Sequence, residues 1–174
     1  LTKHLARSIG LPVTPGAVYV AEADTAEAPP FPGPYFVKPR FGANSEGVGP
    51  ESAATGWNSA RDRIVSLLRS GEEALVEPLI PGHDLTIPVL AGHPDVYLPT
   101  IRFDSELPFG IATEDQKRLK AGGRRSHVVE DPGISTRVAE LARLFVRHVR
   151  PFDYLRVDFR VDDRTGEMTL LEFN

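Results

Sequence analysis

The chain has 174 residues, a formal net charge of −4 and 41% hydrophobic residues, enough apolar matter for a packed core and too much for a disordered tail. The acidic balance argues against nucleic acid as a main partner, because phosphate backbones call for a basic face, and neither a bilayer-spanning apolar run nor a signal peptide is visible. Without a single cysteine, disulfides, thiolate catalysis and thiolate zinc sites are excluded together.

Near the start, Leu5 and Ile9 at helical spacing, with Lys3 and Arg7 turned outward, predict a helix over 2–9. Gly10 ends it and Pro12 prevents its resumption. Val13 and 18–20 are short extended pieces, and 21–34, rich in Ala, Glu and Pro, is a loop or an eroded helix. Tyr35, Phe36 and Val37 form a buried strand leading into Lys38, and 40–50 is a glycine-containing loop. Ile64, Leu67 and Leu68 against Arg61, Arg63 and Arg69 mark an amphipathic helix over 58–70. A strand, 74–76, runs into Glu77; strands follow at 85–90 and 96–103, and 104–133 is polar and irregular. A strong helix over 136–149 carries Val138, Leu141, Ala142, Phe145 and Val149 on one face, with Ser135 as its cap. A hairpin closes the chain, with strands at 155–161 and 168–173. Mixed elements with adjacent strand pairs favour an α+β fold with antiparallel sheets over a doubly wound parallel sheet. The missing initial methionine and the apolar strand that stops at Glu172, Phe173 and Asn174 are read as cut ends.

Three segments carry chemistry. In the hairpin, strand alternation sets Val157, Phe159 and Val161 on one face and Arg156, Asp158 and Arg160 on the other. The returning strand is read with Leu171 and Phe173 on one face and Glu172 and Asn174 opposite, so that Asp158 meets Glu172 and Asn174. Adjacent carboxylates repel unless a cation lies between them, and hard oxygen ligands suit Mg²⁺ or Mn²⁺; a solvated face of surface ion pairs has the same alternation. Lys38 ends a buried strand before the small-residue run 42–49, which suits a phosphate cradle or a plain turn. Glu77, followed by Pro78, Ile80 and Asp84, suits the reading of a purine edge and a ribose, or simply a strand entering a surface turn. The five histidines lack two-ligand spacing, and they and Trp57 are assigned to surface or packing.

The order and spacing of these segments resemble the ATP-grasp superfamily, and among its members the D-alanine–D-alanine ligases. The residues that carry the resemblance are Phe36-Val37-Lys38-Pro39, the small-residue loop, 76–84, 155–159 and 170–174. The resemblance implies two α+β lobes whose antiparallel sheets enclose the nucleotide, a small lobe over 1–81 with the phosphate loop and a large lobe over 82–174 with the metal site. It implies that Lys38 binds ATP phosphates beneath a mobile loop of Asn44, Ser45, Glu46 and Gly47. Glu77, the Pro78 carbonyl and the Ile80 backbone would meet adenine. Asp84 would meet ribose, where the family usually has Glu. Arg156 would steady the acyl phosphate and the tetrahedral species, and Asp158, Glu172 and Asn174 would hold Mg²⁺ or Mn²⁺. Lys117 is the candidate for a substrate lysine. An earlier ATP-binding lysine and a substrate-binding Pro-Gly segment would lie outside 1–174. The implied activity is ATP-dependent joining of a small-molecule carboxylate to an amine in a cytoplasmic homodimer, through an acyl phosphate. A catalytically inactive ATP-binding module and an ATP-grasp phosphotransferase are the alternatives.

Overall fold

The computed structural model describes residues 2–42, 45–113 and 124–174. The chain divides into two units that are not contiguous in sequence: Leu1–Thr14, Pro81–Asp104 and Arg125–Asn174 in one, Pro15–Ile80 and Ser105–Arg124 in the other. The first differs from a plain division at 81/82 because its opening segment belongs to the later half's core. Ala6 and Leu11 are buried with Leu85, Val157 and Phe159, and Leu170 donates its backbone N–H to the Pro12 carbonyl at 2.9 Å.

In the second unit, β1 (Ala17–Tyr19), β2 (Tyr35–Pro39), β3 (Ala53–Ala54) and β4 (Ala74–Pro78) form a sheet in the order β1-β4-β2-β3. The helix α2 (Trp57–Arg69), which follows α1 (Thr2–Ser8) in chain order, supplies Ala60, Ile64 and Leu67 to the core against Val37 and Val76. Trp57 has a packing role, its ring 5.9 Å from that of Tyr19 and 6.1 Å from that of Tyr35. Gly71, at φ +86°, closes α2: Glu72 N–H bonds the Leu67 carbonyl and Gly71 N–H that of Leu68, a left-handed C-terminal cap. Gly10 ends α1 in the same way, with Leu11 and Gly10 bonding Ala6 and Arg7.

In the first unit the sheet order is β10-β9-β5-β7-β8, with β6 also on β5. The strands are β5 (Gly82–Leu90), β6 (Val96–Tyr97), β7 (Ile101–Ser105), β8 (Arg124–Val128), β9 (Tyr154–Asp162) and β10 (Met168–Phe173). Every pairing of described register, in both sheets, is antiparallel, as the α+β reading requires. The expected strand over 96–103 is two strands: the β6 pairing on β5 runs on to the bond of Leu98 N–H with the Pro88 carbonyl, and the β7 pairing that resumes at Ile101 opposite Thr86 is shifted by one residue. The expected irregular stretch 104–133 contains β8.

The helix α3 (Pro132–Val146) covers the inner face of this sheet with Val138, Leu141, Ala142, Phe145 and Val146. Its cap is Asp131, not Ser135: the carboxylate accepts from Gly133 and Ile134 N–H at 2.7 and 3.0 Å, and Pro132 takes the first helical position, where a missing N–H costs nothing. The helix therefore starts four residues earlier than its apolar spacing indicated. Phe145 is fully buried, 5.2 Å from the Phe173 ring at the end of β10. Phe145→Ala is expected to destabilise this unit by about 3–5 kcal/mol. Chemical denaturation of the variant checks this, and an unchanged midpoint would show that the contact contributes nothing.

Candidate functional site

The outer face of β9 is fixed by alternation. Leu155, Val157, Phe159 and Val161 are buried in the core, so Arg156, Asp158 and Arg160 point the other way. Strand β5 runs beside it with Asp84 opposite Arg160, Thr86 opposite Asp158 and Pro88 opposite Arg156.

The partner on the other side, β10, contains a bulge. Leu170 faces Phe159, but Glu172 faces Asp158, so Leu171 is an extra residue. An uninterrupted ladder would have set Leu171 opposite Asp158 and turned Glu172 toward the core beside Val157. With the bulge, Leu170 is fully buried, Phe173 packs on the core beside it, and Glu172 is exposed on the Asp158 face. The expected pairing of Leu171 with Phe173 on one face is thus corrected to Leu170 with Phe173. The expected meeting of Asp158, Glu172 and Asn174 stands in the geometry. Arg156 and Asn174 exchange backbone hydrogen bonds of 2.7 and 2.9 Å, and Asn174 Nδ2 donates to Asp158 Oδ2 at 3.3 Å.

Like charges directly opposite on a sheet are destabilising, and Arg156 answers this. Its Nε and Nη2 each lie 2.9 Å from Asp158 oxygens, a two-pronged contact. Hydrogen bonding to Asp158 raises the Arg156 pKa most; burial lowers it, and the Asp158, Tyr154 and Glu172 charges raise it further. Thr86 Oγ1 also donates to Asp158 Oδ1. Asp84 is engaged as well: Arg160 Nη1 donates to its Oδ1 at 2.9 Å, with the Arg160 side chain 9% exposed. His83, buried, sits with Nδ1 2.6 Å from Asp163, tying the start of β5 to the hairpin turn.

No group of three or more His, Cys, Asp or Glu side chains that could hold a metal occurs among the described residues. The hairpin instead offers two carboxylates and an amide. Asn174 uses its amide nitrogen on Asp158, which leaves the donor set all oxygen: Asp158, Glu172 and the Asn174 carbonyl. That set fits a hard divalent cation, and the direct opposition of Asp158 and Glu172 is the kind of crowding such a cation relieves.

In the other unit, Tyr35, Val37, Ala74 and Val76 face the core, so Phe36 and Lys38 on β2 share the opposite face with Leu75 and Glu77 on β4. Glu77 faces Phe36 across the ladder, and Lys38 reaches it diagonally with Nζ 3.3 Å from Oε2. Glu77 is only 4% exposed. Pro78 ends β4, and Ile80 lies two residues on, half-buried. The loop after β2 folds onto the Lys38 end of that strand. Gly47 is at φ +67°, and a side-chain carbon there would come within 2.6 Å of the Pro39 ring. Ser45 is also left-handed, and Val48 N–H closes a turn on the Ser45 carbonyl at 2.9 Å. Arg63 on α2 donates from Nη2 to the Gly47 carbonyl at 2.7 Å. Asn44 and Lys117 lie outside the described residues.

Three contacting residues had no role in the sequence reading: Thr86, Arg160 and Arg63. Alternation alone signals the first two, because Thr86 is two residues from Asp84 and Arg160 two from Asp158. Nothing in the spacing of 58–70 signals that Arg63 reaches the loop.

No family model matches the chain. It is 36% identical over 99% of its length to a D-alanine–D-alanine ligase of Gluconobacter oxydans, covering 55% of that protein. It is 29% identical over 99% of its length to the one of Acidiphilium cryptum, covering 54%. The chain therefore spans about half the length of the curated relatives it matches. Among solved structures, the VanG D-Ala:D-Ser ligase of Enterococcus faecalis superposes over 98% of the chain and 50% of its own, at a TM-score of 0.74 and 20% identity. N5-carboxyaminoimidazole synthetase of Staphylococcus aureus, complexed with ADP, does so over 99% and 41%, at 0.69 and 15%. The chain has the ATP-grasp fold and belongs with the ATP-grasp ligases as a D-alanine–D-alanine ligase-like protein.

Proposed function

We propose that the protein is an ATP-dependent carboxylate–amine ligase that forms an amide or peptide bond through an acyl phosphate. The observation that carries the reading is the bulge in β10, which sets Glu172 opposite Asp158 beside the Arg156 guanidinium. A surface strand gains nothing from such crowding, whereas a site for a phosphate-bearing cation needs it.

Asp158, Glu172 and Asn174 would hold Mg²⁺ or Mn²⁺, which would supply charge neutralisation for the triphosphate when bound. Lys38 binds phosphate oxygens, and to do so it shares or releases its contact with Glu77. Ser45, Glu46 and Gly47, with Asn44, belong to the same phosphate-binding loop. Glu77, the Pro78 carbonyl and Ile80 take the adenine edge, Asp84 the ribose, and Lys117 the substrate. A substrate carboxylate oxygen attacks the γ-phosphorus, the bond to the β-phosphate oxygen breaks, and ADP leaves. The amine then attacks the acyl carbon, the C–O bond to phosphate breaks with phosphate keeping the electron pair, and the new amide nitrogen loses a proton. Arg156 exchanges Asp158 for the oxyanion that develops on the acyl carbon, so its service is electrostatic and positional. The substrates are a small-molecule carboxylate and an amine, which the D-alanine–D-alanine ligase names of the sequence relatives support.

In the full-length protein, Glu172→Gln should lower ATP-dependent phosphate release by about a hundredfold or more, and, as an exposed isosteric change, shift stability by no more than about 0.5 kcal/mol. Steady-state phosphate release and a melting curve measure both, and wild-type turnover in this variant would remove the assignment. Mass analysis of the wild-type product decides the chemistry: an amide supports the ligase, a phosphorylated product points to phosphotransfer, and nucleotide binding without turnover to an inactive module.

Lys38→Met should weaken ATP binding about ten- to a hundredfold, the worth of a charge-assisted hydrogen bond. Calorimetric titration tests this, and an unchanged dissociation constant would free Lys38 of its role.

A further inference from the structure

Arg63 is placed at a cost. Its side chain is 14% exposed, it lies on the flank of α2 one turn from the core residues Ala60 and Leu67, and its Nε is buried with no hydrogen-bond partner among the described residues. A buried donor left unpaired is destabilising, so the fold of this unit has no need of a guanidinium there. What the guanidinium does hold is the loop. Nη2 takes the Gly47 carbonyl at 2.7 Å and lies 3.3 Å from Glu51 Oε1.

The peptide between Gly47 and Val48 is consequently fixed at both ends. Its oxygen is on Arg63, and its N–H is on the Ser45 carbonyl. One residue on, Gly49 N–H is taken by Ser52 Oγ at 3.2 Å. Val48 and Gly49 therefore spend their N–H groups inside the loop. Carbonyl oxygens are the parts of such a turn that repel an anion, and a cation that binds one of them removes that repulsion while fixing the backbone.

We propose that Arg63 is the positioning residue of the phosphate loop: by holding the Gly47 carbonyl it sets the turn at 45–48 for the phosphates of a nucleotide, without touching the nucleotide itself. This rests on the nucleotide reading above. It assigns to α2 a task beyond packing, and it accounts for an arginine whose Nε is left without a partner among the described residues.

The test is calorimetric titration of the full-length protein with ATP and, separately, with adenosine, alongside its thermal midpoint. Arg63→Met should raise the ATP dissociation constant about tenfold, leave that for adenosine unchanged, and leave the thermal midpoint equal or higher. Arg63→Lys, which keeps one donor for the carbonyl, should recover part of the ATP affinity. ATP affinity equal to wild type in Arg63→Met overturns the inference. So does a parallel loss of ATP and adenosine binding with a fallen midpoint, the mark of a structural anchor only. A wild-type protein that binds neither compound would remove the nucleotide reading itself, and this inference with it.

Discussion

Two carboxylates set face to face across a pair of strands are the constraint around which this hairpin is organised. Asp158 and Glu172 are direct cross-strand neighbours, a placement that sheets ordinarily avoid because like charges there repel. The chain reaches it by inserting Leu171 as an extra residue, which breaks the ladder locally. The core limits the damage: Leu170 before the bulge and Phe173 after it both remain on the inner side, against Phe159 and Phe145. Arg156 then partly neutralises the pair from the same face, and Thr86 and Asn174 fill further acceptor positions on Asp158.

The second polar pair obeys different physics. Lys38 and Glu77 lie in the other unit, and Glu77 is almost wholly buried. Only Glu77 is buried, while the Lys38 side chain is 30% exposed, so the pair recovers less of the carboxylate's desolvation than a fully buried one. Its retention at a strand end, next to a loop that packs on Pro39, makes sense if the lysine has a second partner to meet. The same reasoning covers Arg63, whose unpaired Nε makes it a costly choice for packing. Local departures of this kind are expected where a residue has a task beyond the fold, which is the role proposed above for Lys38 and Arg63.

Much of this was legible in the sequence, and the misses have causes. The period-2 pattern of 155–161 located the inner and outer faces of β9, because a strand half-buried against a helix must alternate. The same rule misplaced Leu171, since alternation has no means of registering an inserted residue; only the pairing with Phe159 and Asp158 reveals it. The start of α3 was misread because apolar spacing begins at Val138, whereas the helix begins where Asp131 caps it and Pro132 fits the first turn. The contact of Lys38 with Glu77 is a diagonal across two strands, so it required the register of β2 on β4, which no local pattern contains. The membership of 2–14 in the later half's core is a long-range packing fact of the same kind.

Charge along the outer face of the β5, β9 and β10 group gives the last step. Arg160 is matched by Asp84, Arg156 by Asp158, and Asp162 by Arg164 from the turn. Glu172 stands in this row as the surplus carboxylate, opposite one that is already paired. Were the row a solvated surface, stability would be better served by Gln or Thr at 172, which carry no charge against Asp158. Arg156 gives its two-pronged contact to Asp158 through Nε and Nη2, and acts on Glu172 through charge alone. The Glu172 side chain makes no hydrogen bond or ion pair among the described residues, and it is exposed, where a cation from solution can reach it. Among the described residues this row has one more carboxylate than its paired cations, and oxygen ligands crowded in that way are the kind a hard divalent ion would suit, as proposed above.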